Sequence, residues 1–296
     1  MPWKTTLHSV SYAGVWPGQT RLTLDAFLEK AKALGYGSVM VMAKRPHLSL
    51  LDVNAGARRR LQDKLASLDL EVACLAGYTD FSLGSERPDI PTREMQTLYV
   101  TELARLANDL GSKLVRVFTG YSTATATPEQ CWGWCVESLR ECAQRAAEFD
   151  VTIGVQNHHD TAAHYESLFD LLAEINEPNC KAMFDAWSPA LHGSDLVAAV
   201  KKMAPYIVHT TVADYVRRPR FSYVPQLVNY ARETDAIRAV PMGEGFIDYR
   251  SFFAALKEAG YQGHVAYEMC SPLRGGGSEA NLDRCAKQFL EYMERL

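Results

Sequence analysis

Polar side chains that can move protons or bind metal ions stand at the ends of short apolar runs in this sequence. Carboxylates, imidazoles and guanidinium groups are the groups that acid–base catalysis, metal binding and recognition of oxygen atoms require. Several of them in one cavity would form an active site. The residues concerned are Arg45, His47, Asp80, Arg116, Gln156, Asn157, His158, Asp185, His209, Asp214 and Glu268.

The apolar runs and the stretches between them predict the elements that position these side chains. Between the runs, apolar residues recur every three or four positions, as at Leu24, Phe27, Leu28 and Ala31, which is typical of helices that cover a sheet. Eight strand-then-helix units that close on themselves form a single-domain (β/α)₈ TIM barrel, predicted over residues 1–296, with its active site at the carboxyl ends of the strands. The eight runs are LHSVSYA, GSVMVMA, EVACLAG, SKLVRVF, TIGVQNHHD, KAMFDAW, IVHTTVADY and HVAYEMC.

Two segments exceed what a barrel needs. Residues 78–91 follow the third run and residues 214–245 follow the seventh, and both are rich in Pro, Tyr, Arg and Gly. Long connections after barrel strands are usually functional, so we expect both to act as lids over the catalytic end. Aromatic residues in the second segment would either close a lid or cover a second subunit, which is compatible with a homo-oligomer.

Composition and charge argue against several classes of partner. The formal net charge of −4 is spread over mixed acidic and basic residues, so we expect no nucleic-acid partner. We expect no membrane partner and a cytoplasmic location, because no apolar run is long enough to span a bilayer and the segment MPWKTTLHSV lacks the apolar core of a signal peptide. The seven cysteines form no CxxC pair, which favours reduced core residues.

Two carboxylates lie where a barrel strand should be apolar. Asp185 follows KAMF in the sixth run and Glu268 lies in the eighth. A buried carboxylate is costly unless it is paired or bound to a cation. Pairing with an arginine remains open, but two acids and several histidines at one barrel mouth favour a divalent metal such as Mn²⁺, Mg²⁺, Co²⁺ or Zn²⁺.

The remaining polar residues are interpreted as groups that contact a substrate or move a proton. By strand alternation Gln156 and His158 share a face. Trp187 would stack on a sugar ring or form a wall of the pocket, and Arg116 would either neutralise the acids or bind substrate oxygens. The predicted substrate-binding residues are Arg45, His47, Arg116, Trp187, Asp214 and Arg217.

The segments GVQNHHD, FDAWSP, VHTTVAD and GEGFIDYRSFFAALKEAGYQGHVAYE resemble the xylose isomerase-like TIM-barrel superfamily of sugar isomerases and epimerases. That superfamily also contains inosose dehydratases and barrels of the AP endonuclease 2 (endonuclease IV) type. The resemblance implies a divalent metal held at the ends of strands five to eight, here by Gln156, Asp185, His209 and Glu268. Two positions depart from the family pattern, because Gln156 replaces a glutamate and Thr211 replaces the histidine that is normally the ligand.

The resemblance implies a metal-dependent isomerase or epimerase of a sugar or keto-sugar that removes a proton next to a carbonyl. Glu268 would act as ligand and base, and His158 as the second acid or base. Because the amide of Gln156 cannot accept a proton, two-carboxylate epimerisation cannot be carried over unaltered. A dehydratase or lyase of a keto-sugar or inosose is the first alternative and a metal-free carbohydrate-binding barrel is the second. DNA repair is disfavoured by the charge of the chain.

Overall fold

The computed structural model describes residues 3–296, so Met1 and Pro2 of the predicted single domain lie outside the described residues. Eight parallel strands form a closed barrel in which each strand pairs with its predecessor and the last pairs with the first. This architecture confirms the predicted TIM barrel. The barrel strands are β1 (Lys4–His8), β2 (Ser38–Met42), β3 (Glu71–Ala76), β4 (Leu114–Val117), β5 (Thr152–Gln156), β6 (Cys180–Met183), β7 (Ile207–Val212) and β10 (His264–Tyr267).

Helices surround the barrel and bury their apolar faces against it. Thr23, Asn54 and Ser278 each accept a hydrogen bond from the backbone of the helix that follows them, which fixes where those helices begin. Gly35 ends the first helix at φ 99°, a conformation that favours glycine. The helices are α1 (Leu24–Leu34), α2 (Ala55–Leu68), α3 (Thr92–Asp109), α4 (Pro128–Ala147), α5 (Tyr165–Ile175), α6 (Trp187–Leu191), α7 (Leu196–Met203), α8 (Tyr249–Glu258) and α9 (Glu279–Glu294).

The interior of the barrel has a polar floor and a dry apolar layer above it. In the floor, the hydroxyl groups of Thr6 and Ser38 lie 2.6 Å apart, and both contact Nδ1 of His264, at 3.0 and 3.3 Å. The apolar layer lies between this floor and the carboxyl ends of the strands and defines what we call the dry layer. Its buried members are Met40, Cys74, Ala76, Leu114, Met183 and Ala266.

The segment after β7 forms an antiparallel hairpin of β8 (Asp214–Val224) and β9 (Asn229–Val240). The base of the hairpin is buried, whereas its outer part is exposed. Exposed apolar side chains cluster around its tip, which we define as Phe221, Tyr223, Leu227, Val228 and Tyr230.

The thiols agree with the expectation that the cysteines are core residues. All seven cysteines are free; six are buried and Cys270 is half-buried. Among the described helices, none has the length and apolar character that crossing a membrane would require.

Candidate active site

A cavity of about 570 Å³ opens at the carboxyl ends of the barrel strands. Side chains from β1, β4 and β5 reach it, as do residues that follow β2, β3, β4, β5 and β10. Charged, imidazole and aromatic groups therefore meet in one space that is large enough for a small substrate. The lining residues that carry the chemistry discussed below are His8, Lys44, Tyr78, Asp80, Arg116, Phe118, Tyr121, Gln156, His158, His159, Glu268 and Cys270.

Glu268 is the carboxylate that directly follows β10 and faces this cavity. Its backbone N–H donates to the carbonyl of Val212, which continues the pairing with β7, and its side chain is 19% exposed. His8 Nε2 lies 3.9 Å from Glu268 Oε2. Burial raises the pKa of Glu268 to about 7, while the charge of Arg116 opposes that rise. A carboxyl group that titrates near neutral pH can both accept and return a proton.

Gln156 and Asp185 form one hydrogen-bonded network beside Glu268. The Gln156 side-chain amide donates to Asp185 Oδ2 at 3.0 Å and to Thr211 Oγ1 at 3.1 Å. Asp185 Oδ1 also accepts from the backbone N–H groups of Trp187 and Ser188, at 3.0 and 3.4 Å. Burial raises the pKa of Asp185 to about 6, and these hydrogen bonds limit the rise.

The network is fixed from outside by Asn157. Its side-chain oxygen accepts from the backbone N–H of Asp185 at 2.8 Å, and its side-chain amide donates to the Asp185 carbonyl at 3.0 Å. The loop that begins at Asp185 is thus held to the end of β5, and Asp185 is oriented toward Gln156.

His158 lines the cavity as a neutral imidazole. Its Nδ1 accepts a hydrogen bond from the backbone N–H of His159 at 2.9 Å, so in the neutral ring the proton lies on Nε2. Burial lowers the pKa of His158 to about 4, and the charge of Arg116 lowers it further in the same direction. At neutral pH the ring therefore offers an N–H donor. Its predicted role as second acid or base stays a prediction.

Arg116 is the cation inside the cavity. It projects from β4 and is 2% exposed. The centre of its guanidinium lies 3.8 Å from the centroid of the Phe118 ring and 4.7 Å from that of Tyr78. Its Nε and Nη1 are buried without a hydrogen-bond acceptor.

Other residues predicted to bind substrate lie outside the cavity lining. Arg45 is exposed and pairs with Asp52 through two hydrogen bonds of 2.8 and 2.6 Å. His47 is held behind β1 by Ser9 and the Leu22 carbonyl, and its ring stacks on Phe27.

Asp214 and Arg217 hold the base of the hairpin. Asp214 Oδ2 accepts from the backbone N–H groups of Gly243 and Gly245, at 3.0 and 2.8 Å. A Cβ at position 245 would lie 1.8 Å from Asp214 Oδ1, so this close approach requires glycine. Arg217 donates to the carbonyls of Ala190 and Leu191 at the end of α6.

Trp187 lines a smaller adjoining cavity of about 200 Å³ that shares Tyr121, His158 and His159 with the main one. The ring centroids of Trp187 and His158 are 5.7 Å apart. The indole therefore forms the far wall of the space behind the two histidines.

The structure separates His209 from the other predicted metal ligands. In the sheet register His209 pairs with His264, and their rings stack at 6.0 Å in the floor of the barrel. Glu268 lies four residues further along β10, which corresponds to about 13 Å along a strand. His209 Nε2 is buried without a partner, below the dry layer and away from Asp185 and Glu268.

The donor set at the mouth does not fit a divalent metal. The family site would lie there, but within residues 3–296 no three His, Cys, Asp or Glu side chains are placed so that they could hold one ion. Gln156 turns its amide N–H group toward Asp185, and Asp185 already accepts hydrogen bonds from three donors. A metal would also have to share the cavity with the guanidinium of Arg116.

Sequence reasoning missed several residues that line the site, among them His8, Lys44 and Tyr78. His8 ends β1, Lys44 follows β2, and Tyr78 follows β3 between Lys44 and Arg116. His8 carried a usable signal, because an imidazole in the first apolar run is the same pattern that singled out Glu268. The first run was assigned to residues 7–13, whereas β1 spans Lys4–His8. The sequence therefore placed His8 inside the strand and not at its end.

Comparison with known proteins assigns the family. The chain matches the family model described as xylose isomerase-like TIM barrel over residues 28–293, and it belongs to that family. It is 21% identical to fructoselysine 3-epimerase of Escherichia coli O157:H7 over 264 residues, covering 85% of this chain and 87% of that protein. It is 24% identical to 3-dehydroshikimate dehydratase of Bacillus anthracis over 195 residues, covering 64% and 66%.

The fold is shared with solved structures of the same kind. The IolI protein, solved with a bound zinc atom, superposes with a TM-score of 0.73 at 17% identity, covering 97% of each chain. Relatives of this chain are thus sugar epimerases and dehydratases, and a metal occurs among its structural neighbours.

Proposed function

We propose that this protein is an enzyme that removes a proton next to the carbonyl of a keto-sugar or a related polyhydroxy compound, as an isomerase or epimerase. The observation that carries the proposal is Glu268, a carboxylate that directly follows a barrel strand and faces a cavity lined by a guanidinium and neutral imidazoles. The epimerases among its relatives support the substrate class.

The residues of the chain divide the chemistry between them. Ionised Glu268 accepts the proton from the carbon next to the carbonyl, and the carbonyl oxygen then carries negative charge. Donors in the cavity, Nε2–H of His158 and the guanidinium of Arg116, are of the type that stabilises such an oxygen. The former carbonyl oxygen then takes the proton of the adjacent hydroxyl group, and protonated Glu268 gives its proton to the former carbonyl carbon. The adjacent carbon becomes the new carbonyl, which completes an isomerisation without a second base.

No step is assigned to a metal, because the donor set does not fit one. In the family a divalent ion would supply a Lewis acid for the developing oxyanion. A divalent ion, Mn²⁺, Mg²⁺, Co²⁺ or Zn²⁺, stays a prediction from the sequence, and the test below therefore includes removal and addition of metal ions.

A dehydratase is the second candidate, and the Gln156 network favours it. Epimerisation by two opposed carboxylates needs a second carboxylate at position 156. Gln156 stands there instead, and its side-chain amide donates hydrogen bonds to Asp185 and Thr211. Elimination needs only one base. Glu268 would take the proton, a C=C bond would form as the C–O bond breaks, and the departing hydroxide would take the proton back from Glu268 and leave as water.

The test is proton NMR in D₂O with a panel of keto-sugars, keto-sugar acids and inososes. We expect the signal of the proton next to the carbonyl to disappear with wild-type protein and to persist with Glu268→Gln. Product signals distinguish the candidates, because isomerisation keeps every hydroxylated carbon and elimination loses one.

Chelation and metal addition complete the test. Turnover that survives dialysis against EDTA agrees with the proposal. Turnover that is lost on dialysis and restored by Mn²⁺ or Zn²⁺ would contradict the metal-free assignment and support the family's metal. Ligand binding without any exchange or product would favour the carbohydrate-binding barrel instead.

A further inference from the structure

Arg116 is a buried charge that forms no ion pair among the described residues. It is 2% exposed, and within residues 3–296 no carboxylate oxygen lies within 4.0 Å of its guanidinium, whereas other arginines of the chain form such pairs. Its Nε and Nη1 have no acceptor. Leaving a buried guanidinium unpaired costs several kcal/mol, by order of magnitude, so the fold retains Arg116 at a cost in stability.

Two aromatic rings pack against the guanidinium, and its Nε and Nη1 are left without an acceptor. Phe118 and Tyr78 lie 3.8 and 4.7 Å from its centre. Rings interact with the faces of the cation but do not accept its in-plane N–H groups in the way that oxygens do. The two edges of the guanidinium are Nε with Nη2 and Nη1 with Nη2, and each includes one of the unpartnered nitrogens.

The surroundings of Arg116 set which ligand its edges suit. Lys44 lies over the Tyr78 ring at 3.8 Å from its centroid and lines the same cavity. Glu268 also faces this cavity and would repel a ligand that carries two negative charges. A carboxylate carries one negative charge and can accept two parallel hydrogen bonds from one edge of the guanidinium.

We propose that Arg116 binds a carboxylate of the ligand, so that the cavity takes a sugar acid or keto-sugar acid rather than a neutral sugar. The inference rests on the proposed function only for the statement that this ligand is turned over. The two carboxylate oxygens accept hydrogen bonds from one edge of the guanidinium, and the polyhydroxy chain extends toward Glu268 and His158.

A matched set of probes tests this proposal by thermal unfolding and calorimetric titration. Sodium gluconate and glucitol share a six-carbon polyhydroxy chain and differ in one carboxylate. Glucose 6-phosphate tests the phosphate, and sodium chloride at equal ionic strength tests unspecific salt effects. We expect gluconate to raise the unfolding midpoint of the wild type and the other three to leave it nearly unchanged.

Variants of Arg116 assign the effect to this residue. Arg116→Met is expected to weaken gluconate binding at least about 30-fold, as for the loss of a buried charge partner. Without ligand, its unfolding midpoint is expected to equal or exceed that of the wild type, because an unpaired charge is removed. Arg105→Met is the control, since Arg105 also lies over a ring, that of Phe149 at 5.0 Å, but is exposed on α3.

Arg116→Lys keeps the charge without the fork and serves if the methionine variant does not fold. Weaker gluconate binding by this variant agrees with the proposal. Equal shifts with gluconate and glucitol, unchanged gluconate binding in the Arg116 variants, or a larger shift with glucose 6-phosphate would each overturn it.

The two proposals fail in distinguishable ways. Gluconate binding that depends on Arg116, without proton exchange in any tested compound, would refute the proposed reaction and leave the carboxylate site in place. Turnover of neutral keto-sugars by the wild type, together with gluconate binding no tighter than glucitol binding, would refute the carboxylate site and leave the reaction in place.

Discussion

At the scale of single residues, Gln156 decides the chemistry of the barrel mouth. Its amide donates to Asp185 and to Thr211, where a glutamate would only accept. Asp185 is thereby stabilised by neutral donors. Glu268, in contrast, faces the cavity without such a donor bonded to its carboxylate among the hydrogen bonds of the described residues.

Replacing Gln156 by glutamate should therefore destabilise the protein. In Gln156→Glu a carboxylate would face Asp185 at the 3.0 Å now spanned by a hydrogen bond, and two like charges in a buried site are unfavourable. We expect the free energy of unfolding at pH 8 to fall by about 1–3 kcal/mol, measured by urea denaturation.

A surface pair provides the control for this substitution. Gln144 donates to Glu177 at 2.7 Å on the exposed side of the barrel, so Gln144→Glu makes the same exchange in water and should cost less than about 0.5 kcal/mol. Adding Thr211→His to Gln156→Glu would restore the family's ligand types. Zn²⁺ should then raise the unfolding midpoint of the double variant but not that of the wild type. Equal zinc stabilisation of both would contradict our description of the donor set.

The raised pKa of Glu268 has a consequence for stability. Between its usual value of about 4.5 and its value of about 7 in the fold, the native protein holds a proton that the unfolded chain releases, so stability falls as pH rises through this window. Glu268→Gln removes that penalty. The variant should be more stable than the wild type at pH 8, by at most about 3 kcal/mol, and the difference should vanish near pH 4.5.

Urea denaturation at several pH values measures this effect. Glu148→Gln, an exposed position, is the control and should show no such pH-dependent gain. If Glu268→Gln were less stable than the wild type by the same amount at every pH, the carboxyl group would be required for the structure.

At the scale of elements, the sequence predicted which segments form the barrel and misplaced one boundary. The first run was assigned to LHSVSYA, but β1 ends at His8 and Ser9–Tyr12 form a 3₁₀ turn. The turn is fully buried, so its apolar and small residues have the composition of a strand. Burial explains the composition, and periodicity over so few residues does not separate the two conformations.

The long connection after β7 was predicted as a lid-like loop and is a hairpin. A proline in the middle of the segment argued against a strand, yet Pro219 falls at the register shift between Arg218 and Arg220, where the ladder needs no N–H. Its bulge position depends on how β9 pairs, which the local sequence does not specify.

Shortening this hairpin should leave the barrel intact. Replacing residues 219–235 by Asn-Gly would remove the exposed part and keep Arg217, which contacts α6. We expect the unfolding midpoint to change by less than about 4 °C, since little buried surface is lost.

Size-exclusion chromatography and steady-state kinetics assign a role to the removed part. A smaller assembly after shortening would locate an oligomer contact at the tip, whereas an altered KM would support the predicted lid. A fall in the midpoint by more than about 10 °C would contradict the view that the hairpin is independent of the barrel.

At the scale of the whole molecule, the sequence predicted that the polar ends of the strands converge, but not which of them face inward. Arg45 and Asp214 lie at the predicted end of the barrel but turn to partners of their own, Asp52 seven residues onward and the backbone of Gly243 and Gly245. Such partners lie in irregular loops whose path no periodic pattern encodes. Glu268, Arg116 and Gln156 were identifiable because strand alternation fixes their direction.

The buried imidazoles should make the whole protein sensitive to acid. Six histidines have a lowered pKa because burial disfavours their charged form, so below about pH 6.5 the unfolded chain binds protons that the native state refuses. Three carboxylates with a raised pKa act in the opposite direction. The histidines are His8, His47, His158, His159, His209 and His264, and the acids are Asp185, Asp214 and Glu268.

The six histidines outnumber the three acids, so we expect the protein to lose stability as the pH falls below about 6. Thermal unfolding between pH 7 and 5 measures this loss. His209→Gln should reduce it, and His192→Gln, at an exposed position, should not. A midpoint that stays constant from pH 7 to 5 would contradict the burial of neutral imidazoles.

The dry layer separates the cavity at the carboxyl ends of the strands from the polar floor of the barrel. Its members are Met40, Cys74, Ala76, Leu114, Met183 and Ala266. The six side chains include no carboxylate or imidazole that could relay a proton, so we expect a proton that Glu268 takes from a substrate to leave through the mouth. A bound substrate blocks that mouth. We therefore expect part of an isotope label on the abstracted hydrogen to be returned to the product. The fraction of label retained in single turnovers then reports how completely the bound substrate closes the cavity.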